Sequence, residues 1–160
     1  MKHEKSLRDY LRRVLTWHEA HADWKAAVGN LPAKFRGKRP TGASHSPWEL
    51  VEHMRLASWD ILEFARDARH VSPGWPSGYW PKSPEPPNSA AWSKSVKELE
   101  RNLAAMGKLV ANPKTDLFAT IPHGSGQTIL RQVLLIADHN AYHLGQLVLV
   151  RRLLGCWPDH

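Results

Sequence analysis

One cysteine in 160 residues, Cys156, leaves no partner for an internal disulfide and excludes a Cys-based zinc site. A reducing, cytoplasmic setting is the compartment this suits. No apolar run reaches the ~20 residues a membrane-spanning helix needs. The nearest candidate, towards the C-terminus, is broken by Arg131, Asp138, His139, His143 and Arg151. Met1-Lys2-His3-Glu4-Lys5 is not followed by an apolar stretch, so no secretory signal is expected. The alternation that marks strands is absent, as are internal repeats and low-complexity tracts. No helix-turn-helix or zinc-finger pattern occurs, which counts against a nucleic-acid partner.

Acidic residues are in deficit: 15 Asp and Glu against 22 Lys and Arg, a net charge of +7. The imbalance is local. Residues 1–40 hold ten Lys and Arg but only four Asp and Glu. The densest part is Lys34-Phe35-Arg36-Gly37-Lys38-Arg39-Pro40. A solvated basic loop is its plainest reading, with capture of an anionic ligand or of nucleic acid as the alternatives. Hydrophobic residues make up 42% and charged residues 23%, the mix of a globular chain, and the length suits one domain over 1–160.

Helical periodicity accounts for the rest. Leu7, Leu11, Val14, Leu15, His18, Ala22 and Lys25 predict a first helix over about 4–28, stopped by Gly29-Asn30. Ser46-Pro47-Trp48-Glu49 predicts a helix start, with Ser46 as cap and Glu49 bonding back, and the helix runs to about Arg69. Prolines exclude a regular element over 70–88, where Trp75, Tyr79 and Trp80 suggest an ordered, packed loop. Trp92, Val96, Leu99, Leu103, Met106 and Val110 predict a third helix over about 89–111. A fourth, capped at Ser125, closes at Gly155. The expected fold is all-α, a four-helix bundle.

Within the last helix stands Asp138-His139-Asn140-Ala141-Tyr142-His143. Histidines at i and i+4 share one helical face and can hold one ion from the same side. Alone, such a pair is also compatible with two histidines that only fill space. A third ligand would come from another helix. His53 lies mid-helix beside Leu50, Met54 and Ala57, where a buried imidazole needs a partner for its ring nitrogens. His18 competes with it from the first helix.

Ser46-Pro47-Trp48-Glu49-Leu50-Val51-Glu52-His53-Met54-Arg55, together with Asp138-His139-Asn140-Ala141-Tyr142-His143-Leu144-Gly145-Gln146-Leu147-Val148, resembles the DinB-like (YfiT-like) four-helix metalloprotein family. The resemblance runs over about residues 10–158 and includes the Trp/Pro-rich middle loop. It implies an up-down-down-up bundle, the long loop crossing over between the second and third helices. It also implies a divalent metal on His53, His139 and His143. In that topology His18 stands at the height of His139, as a substrate-side residue. Family members include S-transferases that use low-molecular-weight thiols and metal-dependent hydrolases, and many are dimers.

Three neutral imidazoles leave a divalent ion its full charge and open positions, which suits zinc or nickel, with iron as a further option. Asp60, Glu49 and Glu52 are the acidic candidates for a general base, Asp60 foremost. Gln132 and Gln146 share the histidine face and could orient a ligand, Gln146 alongside His18 on the substrate side. The leading expectation is a metal-dependent enzyme, a thiol-dependent S-transferase or a hydrolase, acting on a small molecule. A homodimer is consistent with it. The alternative is a metal-binding or sensing protein without turnover.

Overall fold

The computed structural model describes residues 2–16 and 19–158. Among them the helices are α1 (Lys2–Val14), α2 (Trp24–Val28), α3 (Pro47–Arg66), α4 (Ser89–Ala111) and α5 (Ile129–Leu153). Single 3-10 turns occur at Ala33–Phe35 and Ser77–Tyr79. No strand is present among the described residues, only an isolated bridge between Thr120 and Thr128. No helix among them is long and apolar enough to cross a membrane.

Each long helix after α1 starts on a side-chain cap. Ser46 Oγ accepts from the Glu49 amide while the Glu49 carboxylate accepts from the Ser46 amide, the reciprocal box expected from the sequence. Asn88 accepts from the Ala91 amide at 2.8 Å and Thr128 from the Arg131 amide at 3.1 Å. Thr128, not Ser125, therefore caps the last helix. Ser125 lies in the preceding turn, where its amide donates to Gln127 Oε1 at 2.7 Å. At the other end Gly155, at φ +65°, takes the left-handed conformation that closes α5.

The first helix is shorter than its stripe suggests. α1 ends at Val14, and α2 begins afresh after Asp23, whose carboxylate accepts from the Ala26 amide. Beyond Leu15 the expected stripe rests on His18, Ala22 and Lys25, too little apolar surface to hold a continuous helix on the core. The break lets α2 turn its last carbonyls towards α5. There the Arg151 guanidinium, with no exposure, donates to the carbonyls of Ala26, Ala27 and Gly29, and of Cys156 beyond the helix end.

Side-chain contacts give the helix directions. Arg36 joins the starts of α3 and α4: its carbonyl accepts from the Trp48 amide, and its guanidinium lies 4.9 Å from the Trp92 ring centroid. Further along, Arg55 sits 3.4 Å from Glu98, and its carbonyl accepts from Asn102. α3 and α4 are therefore parallel, as the long connection between them permits. His53 meets His143 while Ser58 meets Asn140, so α5 runs against α3. Arg8, early in α1, reaches the carbonyls of Val110 and Asn112 at the end of α4, so α1 runs against α4. The order is up-down-down-up, as the family resemblance implied.

Leu50, Met54, Leu99, Met106, Val133, Ile136 and Leu147 form the middle of the core, each almost fully buried. Burial of each such side chain contributes about 1.5–3 kcal/mol. This packing fixes α3 against α5, and with them the height at which His53 faces the histidines of α5.

Candidate metal centre

His53 is on the buried face of α3 because Leu50, Met54 and Ala57 occupy the neighbouring positions of the same stripe. His139 and His143 stand one turn apart on α5, directly across from it. His53 Nε2 lies 3.0 Å from His139 Nε2 and 3.1 Å from His143 Nε2. One ligand atom from each ring falls within 4.8 Å of the other two. His53 and His143 are buried, and His139 is half-buried.

The opposite nitrogen of each ring faces an oxygen. His53 Nδ1 lies 2.9 Å from the Tyr79 carbonyl, His143 Nδ1 lies 2.8 Å from Gln146 Oε1, and His139 Nδ1 lies 3.3 Å from Asn140 Oδ1. A carbonyl has only lone pairs, so His53 carries its proton on Nδ1. The amide oxygens favour the same tautomer on His139 and His143, with the Asn140 amide nitrogen donating to Ser58 Oγ at 3.1 Å. In that tautomer three Nε2 lone pairs converge with no N–H among them. Burial pushes His53 and His143 down from 6.5 to about 4, and pushes His139 down as well, so the rings are neutral near pH 7. A cation satisfies such a set. First-row ions bind imidazole nitrogen at about 2.0–2.1 Å, which puts neighbouring ligand atoms roughly 3.0–3.4 Å apart. The two closest approaches here already match that spacing.

Aromatic rings enclose the set. The Trp80 indole stacks on His53 at 3.8 Å and 3°, and on its far side lies His45 at 4.0 Å. Tyr142 stands edge-on to His143 at 4.9 Å and is 65% exposed, so α5 gives the centre a solvent-facing side. Of the aromatics expected to pack the 70–88 segment, Tyr79 and Trp80 lie against the histidines, whereas Trp75 is 79% exposed and meets the Tyr79 ring.

The other candidates fall into distinct places. Asp60 is buried, and both its oxygens are engaged, one with Tyr79 Oη and one with His70 Nε2, each at 2.7 Å. Burial, with Asp60 alongside, pushes the Tyr79 phenol up to about 12, so it stays a hydrogen-bond donor. Glu49 serves the α3 cap and pairs with Arg39. Glu52 pairs with Arg55 on its own helix. Gln132 accepts from Arg131, while Gln146 orients His143. His18 lies outside the described residues. In the basic loop Arg36 lies over the Trp92 ring and Arg39 pairs with Glu49, while Lys34, over the Phe35 ring, Lys38 and Arg39 are exposed.

Sequence reasoning passed over Asn140, Ser58, His70 and the Tyr79 carbonyl. Asn140 was legible as the neighbour of His139. A backbone carbonyl carries no side-chain signature, so the partner of His53 was not.

Three imidazoles, two buried and one half-buried, from two antiparallel helices of an up-down-down-up bundle define a helical protein with a metal-competent centre. The chain belongs to the DinB superfamily, whose family model matches residues 16–147. No curated protein and no solved structure matches it.

Proposed function

We propose that this DinB-superfamily protein is a metal-dependent enzyme, with His53, His139 and His143 holding a divalent ion. The reaction is a thiol-dependent S-transfer, or a hydrolysis, on a small-molecule substrate. The observation that carries the reading is the convergence of the three rings: three Nδ1 atoms face oxygens while three Nε2 atoms turn to a common centre. Zinc and nickel fit an all-imidazole set, with iron next. Structural zinc is held by four protein ligands as a rule, and three leave positions open. Bound there, the ion would supply Lewis acidity that lowers the pKa of a thiol or of water.

The chain's own residues then have separable tasks. Gln146 and Asn140 orient His143 and His139, and the Tyr79 carbonyl orients His53. Trp80 excludes water from the His53 side. The exposed flank beside His139 and Tyr142 is the side from which a substrate and an anionic low-molecular-weight thiol would approach.

That same Trp80 stack supports a second reading, metal binding or sensing without turnover, because it narrows access to the ion. Conjugation of low-molecular-weight thiols to a panel of electrophiles separates the two, with the wild type compared with His143→Ala. Turnover that needs both metal and His143 establishes the enzyme. Tight metal binding with no turnover across thiol and hydrolytic substrates establishes the binding role.

A further inference from the structure

The tautomer of His53 depends on an acceptor that belongs to no long helix. The Tyr79 carbonyl lies at the end of a 3-10 turn in the irregular segment between α3 and α4. Such a segment holds an acceptor in place only if it is itself held. The same residue provides the hold: Tyr79 Oη donates to Asp60 Oδ2 at 2.7 Å while its carbonyl meets His53 Nδ1 at 2.9 Å. His53 and Asp60 are seven residues apart on α3, two turns along one face. Tyr79 therefore straddles α3, backbone at one turn and side chain at the other.

The second oxygen of Asp60 closes the other end of the segment. His70 Nε2 lies 2.7 Å from Asp60 Oδ1, so residues on either side of the 71–78 stretch meet on one carboxylate. Asp60 is only 8% exposed, and a carboxylate that deep needs its oxygens bonded. Bonds to an ionised acceptor are also the stronger kind. Next to Tyr79, Trp80 lays its ring on His53, and Pro84 accepts from the buried Ser46 hydroxyl at 2.6 Å. The segment is a strap with Asp60 as its main fastening.

We propose that Asp60 is a positioning residue: through Tyr79 it fastens the 67–88 strap to α3, and the strap sets the tautomer and aim of His53. This rests on the reading of His53 as a metal ligand. It differs from a general-base role for Asp60, because both carboxylate oxygens are already committed. A phenol needs only an acceptor, so an amide oxygen at position 60 can replace the carboxylate in the anchoring role. It cannot replace it as a base.

The test uses cobalt(II) as the probe, titrated into metal-free wild type, Tyr79→Phe, Asp60→Ala and Asp60→Asn. Affinity and the visible cobalt spectrum are recorded, along with the thermal midpoint of each metal-free protein. Long-range proton–nitrogen NMR of the metal-free wild type and Tyr79→Phe reads the His53 tautomer directly. Tyr79→Phe, which keeps the ring and the fold, is expected to bind cobalt about ten- to a hundredfold more weakly with a shifted spectrum. Its His53 loses the pure Nδ1–H tautomer. Asp60→Ala follows it, and Asp60→Asn recovers most of the affinity. Wild-type affinity, spectrum and tautomer in Tyr79→Phe would overturn the inference, as would an Asp60→Asn no better than Asp60→Ala. A wild type that binds no cobalt refutes the metal centre instead. The NMR comparison then still decides whether the strap sets the ring.

Discussion

His53 and His139 point their Nε2 atoms at each other across 3.0 Å from helices that run in opposite directions. The oxygens behind the two rings favour the proton on Nδ1 in each, which leaves the facing Nε2 atoms as lone pairs. Two lone pairs at that distance repel unless a positive charge lies between them. His143 adds a third lone pair 3.1 Å from the first. The centre is thus compatible with a cation, and without one the facing lone pairs carry a cost.

A bound ion should therefore stabilise the fold. Free zinc or nickel at a hundred times its dissociation constant stabilises the folded state by about 2.7 kcal/mol. For a chain of this size that raises the thermal midpoint by roughly 5–10 °C. His139→Ala should remove the rise while leaving the metal-free midpoint near that of the wild type. Calorimetry of both proteins with and without the ion checks this, and equal shifts in the two would refute it.

Acid should loosen the metal-free protein in a defined window. His53 and His143 ionise near 6.5 when unfolded but only at about 4 when folded, because burial penalises the charged rings. Between those values the unfolded chain binds more protons, so stability falls as pH falls. It is complete above about 6.5 and declines progressively down to about 4. Urea midpoints at pH 7.5, 5.5 and 4.5 should drop in that order, and His53→Phe should flatten the profile. Metal release should follow the same direction, since only neutral rings bind.

Arg151 carries a structural load unrelated to the centre. Its guanidinium holds the carbonyls of Ala26, Ala27, Gly29 and Cys156, and it lies 5.0 Å over the Trp157 ring. Arg151→Met leaves those buried acceptors without a donor and should cost about 3 kcal/mol or more. Arg151→Lys keeps the charge but loses the planar fork, and should fall between. Denaturant midpoints of the three proteins measure the order, and a neutral Arg151→Met would contradict it.

Ser46 combines a cap with a tie to the strap. Ser46→Ala removes the acceptor for the Glu49 amide and the donor to the Pro84 carbonyl. About 1–2 kcal/mol of stability should be lost, read as a lower thermal midpoint. Ser46→Asp restores an acceptor for the amide but not the donor, and should recover only part of it.

What could be read from the chain alone followed from local chemistry. Ser46 and Glu49 announce a capping box whatever surrounds them, and His139 and His143 share a face by helical geometry alone. His53 was legible because Leu50, Met54 and Ala57 put its position on the core side. The break after Val14 was not, because Leu7, Leu11 and Leu15 begin a helical stripe whose weakening beyond Leu15 decides the matter only once Asp23 caps α2 and Arg151 holds the α2 carbonyls. Thr128 displaced Ser125 as the cap for a similar reason: bonds around Gln127 use up the Ser125 turn before the helix begins. Arg151 reads as an ordinary cation in a last helical turn, and only the arrival of the α2 carbonyls buries it. Asp60 could be placed on the His53 face from spacing, but its partners His70 and Tyr79 come from an irregular segment whose path no periodicity encodes.

Metal content by mass spectrometry, on wild type and on His53→Ala, His139→Ala and His143→Ala purified alike, bears most directly on the central claim. About one divalent ion per wild-type chain and little in any of the three variants is the predicted result. A wild type without stoichiometric metal after incubation with zinc, nickel or iron, or variants that keep a full complement, would contradict it.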